Sequence, residues 1–162
     1  LYRRTYYMSN IWEQFDEKFN SDELQSEIKE AGKNSSYKEV PQGTYTVGVE
    51  KMDLVQSKKG DPMVSIWFTI KEGEFKNSKI FYNQVIKQGF GIHKNNELLR
   101  SMQLQCVEDA EEERNLFQSY AQYGDLLLDA AEEIEEYGLT FELEYGTNKN
   151  GYNTFKITDC FE

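Results

Sequence analysis

Apolar and polar residues alternate along the stretch of chain that follows Gly43, and this pattern predicts a β-strand. Tyr45, Val47 and Val49 alternate with threonine and glycine residues, and beyond Glu50 the apolar positions move to the other parity. A half-buried strand shows period two because successive side chains point to opposite faces of the sheet. The change of parity inside one strand predicts a β-bulge near Glu50, which bends the strand.

Four further stretches alternate in the same way and predict four more strands. They are residues 63–70, 79–87, 139–145 and 152–161. In the second predicted strand Trp67 lies opposite the apolar face, and in the third Phe81 does. The last two strands are joined by a connection ending in Asn150-Gly151, a pair typical of β-hairpins.

Between the third and fourth strands the apolar residues recur at helical spacing, so a helical insertion of two helices is predicted at about residues 94–138. Gly138 is typical of a helix C-cap. Residues 8–36 are predicted to form a helical N-terminal arm and linker, and residues 37–162 one domain. Residues 1–7 precede a methionine and are interpreted as an upstream extension or a cloning remnant.

The order of elements is therefore three strands, a helical insertion and two strands. Five strands with a helical element between the third and fourth is the chain order of the OB-fold, a small Greek-key barrel. The face of strands 2 and 3 and the flanking loops of this fold bind oligonucleotides or oligosaccharides. We therefore expect a mainly β protein with α, namely a five-stranded OB-fold-like barrel with a helical insertion and an N-terminal helical arm.

The charge of the chain is unevenly distributed. The 162 residues carry a formal net charge of −11, which by itself opposes binding to a polyanion. Residues 38–94 contain nine lysines against six acidic residues, whereas residues 95–138 contain two arginines against twelve acidic residues. Local potential governs the approach of a polyanion, so acidic helices on the far side would leave basic strands free to track phosphates. Acid-rich helices are also common simply as solvated faces.

The sequence contains little that points to a membrane or to an oxidising compartment. Its apolar stretches fall far short of the roughly 20 residues that span a bilayer. The first residues lack the apolar run of a secretory signal, and Cys106 and Cys160 lack the spacing of a disulfide framework or a zinc site. These features favour a cytoplasmic location without membrane contact.

The inventory of catalytic side chains is poor. His93 is the only histidine and is interpreted as a residue near a helix start, and no pattern marks a nucleophile, a metal site or a phosphate loop. The glutamates within residues 132–136 do not converge on one ion, because neighbouring positions on a helix face different directions. We therefore expect a binding protein that is not an enzyme and has no cofactor or metal.

Several segments taken together resemble one family. They are residues 37–45, 57–64, 73–81, 145–146 and 151–157. In these segments the chain resembles a phage-encoded family of unknown function, found among recombination and replication genes and regarded as phage single-stranded DNA-binding proteins of the OB-fold type. The resemblance implies a single-stranded DNA ligand, partners among phage or host replication and recombination proteins, and the cytoplasm of a bacterial host as location.

Nine residues are predicted to contact the nucleic acid. They are Lys58, Lys59, Trp67, Lys79, Phe81, Lys87, Lys149, Tyr152 and Lys156. The aromatic residues lie opposite the expected apolar side of their strands, where they could stack on bases, and the lysines could contact phosphates. Each residue alone has an ordinary explanation, since a strand aromatic is more often part of the core and a surface lysine usually only solubilises. The prediction of a nucleic-acid site therefore rests on the nine residues taken together.

Two other functions stay open on the sequence alone. One is an acidic phage protein that binds or inhibits a host protein, with the helical insertion as a nucleic-acid mimic. The other is a carbohydrate-binding barrel, which needs surface aromatics but no lysines. The amphipathic arm, with Trp12, Phe15 and Phe19, is predicted either to pack on the barrel or to mediate homo-oligomerisation.

Overall fold

The computed structural model describes residues 39–162 and, before them, Glu23, Gln25, Ser26 and Ile28, which are helical. The chain divides into two compact units, Leu1–Glu39 and Val40–Glu162. The predicted extension and most of the predicted arm, including Phe15 and Phe19, lie outside the described residues.

The second unit is built on an antiparallel sheet of five strands. They are β1 (Gly43–Gln56), β2 (Pro62–Ile70), β3 (Lys79–Val85), β4 (Thr140–Thr147) and β5 (Asn153–Phe161). Their order across the sheet is β3-β2-β1-β4-β5, and the long strand β1 pairs with both β2 and β4. All five predicted strands are present, so the alternation identified them correctly.

The predicted bulge in β1 is confirmed. Val49 pairs with Phe68 and Lys51 pairs with Trp67, which leaves Glu50 as the extra residue. The apolar parity changes at this point, and Val47 and Met52 are both buried although they are five positions apart. The bulge also turns the Lys51 side chain to the face that carries Trp67.

Four helices lie between β3 and β4. They are α1 (Gly89–Ser101), α2 (Gln105–Glu108), α3 (Glu113–Leu116) and α4 (Tyr120–Tyr137). The sequence predicted only two helices, and α1 begins ahead of residue 94. Gly91 lets this first turn lie against the end of β3, because a Cβ there would lie 2.3 Å from the carbonyl oxygen of Val85. Gly138 is the predicted C-cap of α4, with φ 60°.

The core lies between one face of the sheet and the helices α1 and α4. The predicted apolar face of β2 is fully buried at Val64, Ile66, Phe68 and Ile70. A buried polar network also crosses the core. The Tyr82 hydroxyl donates to Asn95 (3.1 Å), whose amide nitrogen donates to the Tyr123 hydroxyl (2.7 Å), which in turn donates to Asn96 (2.6 Å). These hydrogen bonds join β3, α1 and α4.

The predicted barrel is not closed. Within residues 39–162, β3 and β5 are the two edges of an open sheet, and no strand pairing joins them. Across this gap, which we call the seam, the rings of Tyr82 and Phe155 meet edge to face at 5.1 Å, and α1 contacts both strands. Alternation along each strand determines its buried face, but it carries no information on whether the two outermost strands pair.

Candidate functional site

The face of the sheet opposite the core carries an aromatic pair on β2 and β3, and lysines on β1 and β3 flank this pair. Trp67 pairs across the strands with Lys51 on one side and with Phe81 on the other. The ring centroids of Trp67 and Phe81 are 5.6 Å apart and their planes are nearly perpendicular. The Lys51 and Lys79 ammonium groups lie 4.8 Å and 5.5 Å from the indole centroid. We call Lys51, Trp67, Lys79 and Phe81 the outer-face cluster.

The two rings of this cluster differ in accessibility. Phe81 is 36% exposed, whereas Trp67 is half-buried, since it contacts the Phe81 ring and two lysine side chains. A base could therefore reach Phe81 more readily than Trp67. The ammonium groups beside the indole place positive charge next to a stacking surface.

Two acidic residues lie beside the cluster. The Lys51 ammonium group is 3.8 Å from the Asp53 carboxylate. The Lys79 ammonium group is 2.8 Å from the Glu50 carboxylate, and the Thr69 hydroxyl donates to the same carboxylate at 3.3 Å. The hydrogen bond from Lys79 is the main reason that the pKa of Glu50 is lowered, and the charge of Lys71 lowers it further. A phosphate that binds Lys79 must therefore compete with Glu50.

The predicted lysines outside the cluster occupy turns and the seam. Lys58 and Lys59 are exposed in the β1–β2 turn, and Lys149 is exposed in the β4–β5 turn. Lys87 follows β3, and its ammonium group is 3.4 Å from the Asp61 carboxylate. Lys156 is exposed on β5. The predicted set is thus distributed over the outer face, two turns, the β3–α1 connection and the seam.

A groove of about 1140 Å³ runs along the seam between β3, α1 and β5. Phe81 and Tyr152 line it, and Tyr152 is 72% exposed. Its charged lining residues are Lys94, Glu97, Arg100 and Lys156. Among the residues that line this groove, basic side chains therefore outnumber acidic ones by three to one. The groove brings together three of the predicted residues, Phe81, Tyr152 and Lys156.

The exposed surface of α4 has the opposite charge. Asp125, Asp129, Glu132 and Glu136 are all exposed along the helix, whose opposite side is buried by Leu127 and other apolar residues. Helix α4 thus carries six acidic residues and no basic one, and it contributes no residue to the outer-face cluster or to the groove.

His93 and Cys106, which the sequence analysis does not assign to catalysis, both lie near acidic side chains. Both ring nitrogens of His93 face carboxylates, Nε2 that of Glu97 at 3.1 Å and Nδ1 that of Glu113 at 2.5 Å. Burial, together with the charge of Glu133, raises the pKa of the Cys106 thiol to about 12, which makes it a poor nucleophile. In residues 39–162 and the four earlier described positions, no three His, Cys, Asp or Glu side chains are grouped to hold a metal ion.

The same part of the chain contains no helix with the length and apolar character needed to cross a bilayer.

Comparison with protein families gives a match over most of the chain. The family described as "Protein of unknown function (DUF669)" matches residues 26–135, which is more than half of the chain. The chain belongs to this family. The matched segment contains β1, β2, β3 and most of the helical insertion, while β4 and β5 follow it. No curated protein matches the chain.

In its sequence the chain shows a resemblance to a family of unknown function. The DUF669 match agrees with it in assigning the chain to such a family. The description of the DUF669 family names neither a source nor a ligand. Phage origin and single-stranded DNA binding, which the resemblance implies, therefore stay predictions.

Three basic residues of the candidate site in this DUF669 protein were missed by sequence reasoning. Lys51 could have been found, because a bulge at Glu50 moves the next residue to the face of Trp67. Lys94 and Arg100 lie on α1, whose start at Gly89 is hidden by the low helix propensity of glycine. The side of α1 on which Lys94 and Arg100 lie could therefore not be predicted from the spacing of the apolar residues.

Proposed function

We propose that this protein binds single-stranded DNA without catalysis, and that it protects or presents the strand during replication or recombination. The observation that carries the proposal is the outer-face cluster, in which the Trp67–Phe81 pair lies between the ammonium groups of Lys51 and Lys79. Single-strand binders combine aromatic stacking surfaces with cations that follow the phosphates. Stacking tolerates any base, since each base has a flat π face.

The topology supports the same proposal. The order β3-β2-β1-β4-β5 is that of an OB-fold barrel opened between its third and fifth strands. In OB-folds, which are often only partly closed, oligonucleotides bind on strands 2 and 3 and on the loops after strands 1 and 4. The outer-face cluster lies on β1, β2 and β3, and the two loops carry Lys58, Lys59 and Lys149.

The net charge of −11 does not oppose this proposal, because the exposed acids of α4 and the outer-face cluster lie on different elements. Phosphate contacts depend on the local potential. A polyanion attracted to the strand face would stay remote from α4.

A second candidate function is that of an acidic protein that binds or inhibits a basic host protein as a nucleic-acid mimic. The observation in its favour is the row of exposed acids on α4, Asp125, Asp129, Glu132 and Glu136. This function needs no stacking surface, so it leaves the outer-face cluster without a role.

Fluorescence anisotropy with labelled oligo-dT tests the proposal. We expect saturable binding that weakens steeply as salt rises, because each neutralised phosphate releases counterions. Phe81→Ala should weaken binding by roughly 1–3 kcal/mol, the usual contribution of one stacked base. The matched control is Tyr137→Ala, which removes an exposed aromatic residue from α4. Absence of binding by the folded parent protein would refute the proposal and favour the nucleic-acid mimic.

A further inference from the structure

We infer that the groove along the seam is a second segment of the DNA path, so that the strand passes from the outer-face cluster across β3 at Phe81 and continues between β3 and β5. This inference rests on the proposed function and extends it from the strand 2–3 face and the β4–β5 turn to the surface between β3, α1 and β5. Its starting point is the position of Phe81, which contacts Trp67 in the outer-face cluster and also lines the groove.

The chemistry of the groove repeats that of the outer face. Tyr152 supplies an exposed ring, and Lys156 on the same wall supplies a cation. On the α1 side, Lys94 and Arg100 line the groove. Arg100 donates to the carbonyl oxygen of Ala110 at 3.0 Å, which holds the guanidinium in place, and the group has further N–H donors for a phosphate.

The size of the groove fits a polymer. Its volume of about 1140 Å³ is near the upper limit of the roughly 300–1,000 Å³ that small-molecule pockets occupy, so it has room for a segment of a polymer. An extended peptide added to the edge of β3 or β5 is the other polymer that such a groove could hold. The excess of cations over Glu97 and the alignment with the outer-face cluster favour the phosphate backbone of a single strand.

Length dependence of binding tests the inference. Oligo-dT ligands of about 3 to about 20 nucleotides bracket the site sizes known for OB-folds. For the parent protein we expect affinity to rise until the strand fills both segments and then to level off. The variant Tyr152→Ala/Lys156→Ala should bind long oligonucleotides at least about tenfold more weakly, because one stacked base and one phosphate contact are lost, and short ones as the parent does.

Two control variants separate the two segments. Tyr137→Ala/Lys76→Ala removes one exposed ring and one exposed lysine elsewhere, and it should leave the length dependence unchanged. Lys51→Ala alters the outer-face cluster alone and should weaken short and long ligands alike. Circular dichroism spectra that match the parent's would show that each variant is folded.

The outcomes distinguish the inference from the proposed function. A parent protein that binds no oligonucleotide of any length overturns both. A parent that binds, together with a groove variant whose length dependence is unchanged, overturns the inference and leaves the proposed function standing. A selective loss for long ligands supports the inference. An unchanged length dependence in the groove variant is also the result expected if the groove holds a peptide at the edge of β3 or β5 instead of DNA, and it overturns the inference in that case too.

Discussion

Glu50 and Lys79 form an ion pair with a separation of 2.8 Å beside the Trp67–Phe81 ring pair. Both side chains are more than a third exposed, so water screens the pair and it contributes little to stability. The ion pair instead affects the binding of a phosphate. The carboxylate partly neutralises Lys79 and repels phosphates from the outer-face cluster.

Glu50→Gln should therefore strengthen DNA binding. We expect affinity for oligo-dT to rise by roughly two- to fivefold at moderate salt, the size of one surface charge interaction. The matched control is Glu135→Gln, which removes one exposed negative charge from α4. Equal gains for the two variants, measured by anisotropy at several salt concentrations, would show that only net charge matters and that Glu50 has no local effect.

Trp67 is expected to report DNA binding through its fluorescence. In a Trp12→Phe background the only remaining indole is that of Trp67, and a strand bound at the outer-face cluster should change its emission. Trp67→Ala should reduce affinity by roughly 1–3 kcal/mol. Because two lysines and Phe81 already contact the indole, part of this loss would come from displaced lysines rather than from stacking.

The conservative variant Trp67→Phe separates these contributions. It keeps an aromatic ring between Lys51 and Phe81 and should retain most of the affinity. A folded Trp67→Ala protein that binds DNA as tightly as the parent would remove Trp67 from the site, and an unchanged emission spectrum would agree with that result.

The sequence predicts the faces of the strands better than it predicts the site. Phe81 and Tyr82 are adjacent, and alternation alone placed the first on the outer face and the second towards the core, as observed. Strand faces depend on neighbours within a few residues, which a pattern records directly. The seam depends on Tyr82 and Phe155, 73 positions apart, and on the packing of α1 between their strands. No local pattern encodes such a relationship, so the order of the elements predicts a barrel without establishing that it closes, and it does not predict the groove.

The buried network at Asn95 should be important for stability. Asn95→Ala leaves the Tyr82 hydroxyl without its acceptor and the Tyr123 hydroxyl without its donor. We expect the free energy of unfolding to fall by roughly 2–4 kcal/mol, because buried polar groups that lose their partners pay a desolvation cost. Urea unfolding measures this loss. Tyr82→Phe leaves only the Asn95 side-chain oxygen without its donor and should cost less, about 1–2 kcal/mol. Similar values for the two variants would contradict the central position of Asn95.

The Cys106 thiol should react slowly with alkylating reagents. Burial and the charge of Glu133 raise its pKa to about 12, so at pH 8 its thiolate fraction is at least about a hundredfold smaller than that of an ordinary thiol. Labelling should accelerate as pH rises, since deprotonation produces the reactive form. Glu133→Gln removes the negative charge and keeps one of the two side-chain oxygens that accept from the backbone N–H groups of Gln105 and Cys106. This variant should label faster. Mass spectrometry of labelled peptides gives both rates, and parent rates typical of an unfolded chain would contradict the prediction.

The β1–β2 turn offers a test of the phosphate contacts that does not depend on the aromatic residues. Lys58 and Lys59 are exposed in this turn, and replacing both with Ala should weaken DNA binding and flatten its dependence on salt. Each lost phosphate contact reduces the slope of log affinity against log salt by roughly 0.7 for a single strand, so a loss of both contacts reduces it by about 1.4. The control pair is Lys76→Ala/Arg114→Ala, which removes two exposed cations from the β2–β3 connection and from α3. Net charge changes equally in the two double variants. A smaller slope in the turn variant alone therefore assigns the phosphate contacts to Lys58 and Lys59, whereas unchanged affinity and slope would exclude the turn from the site.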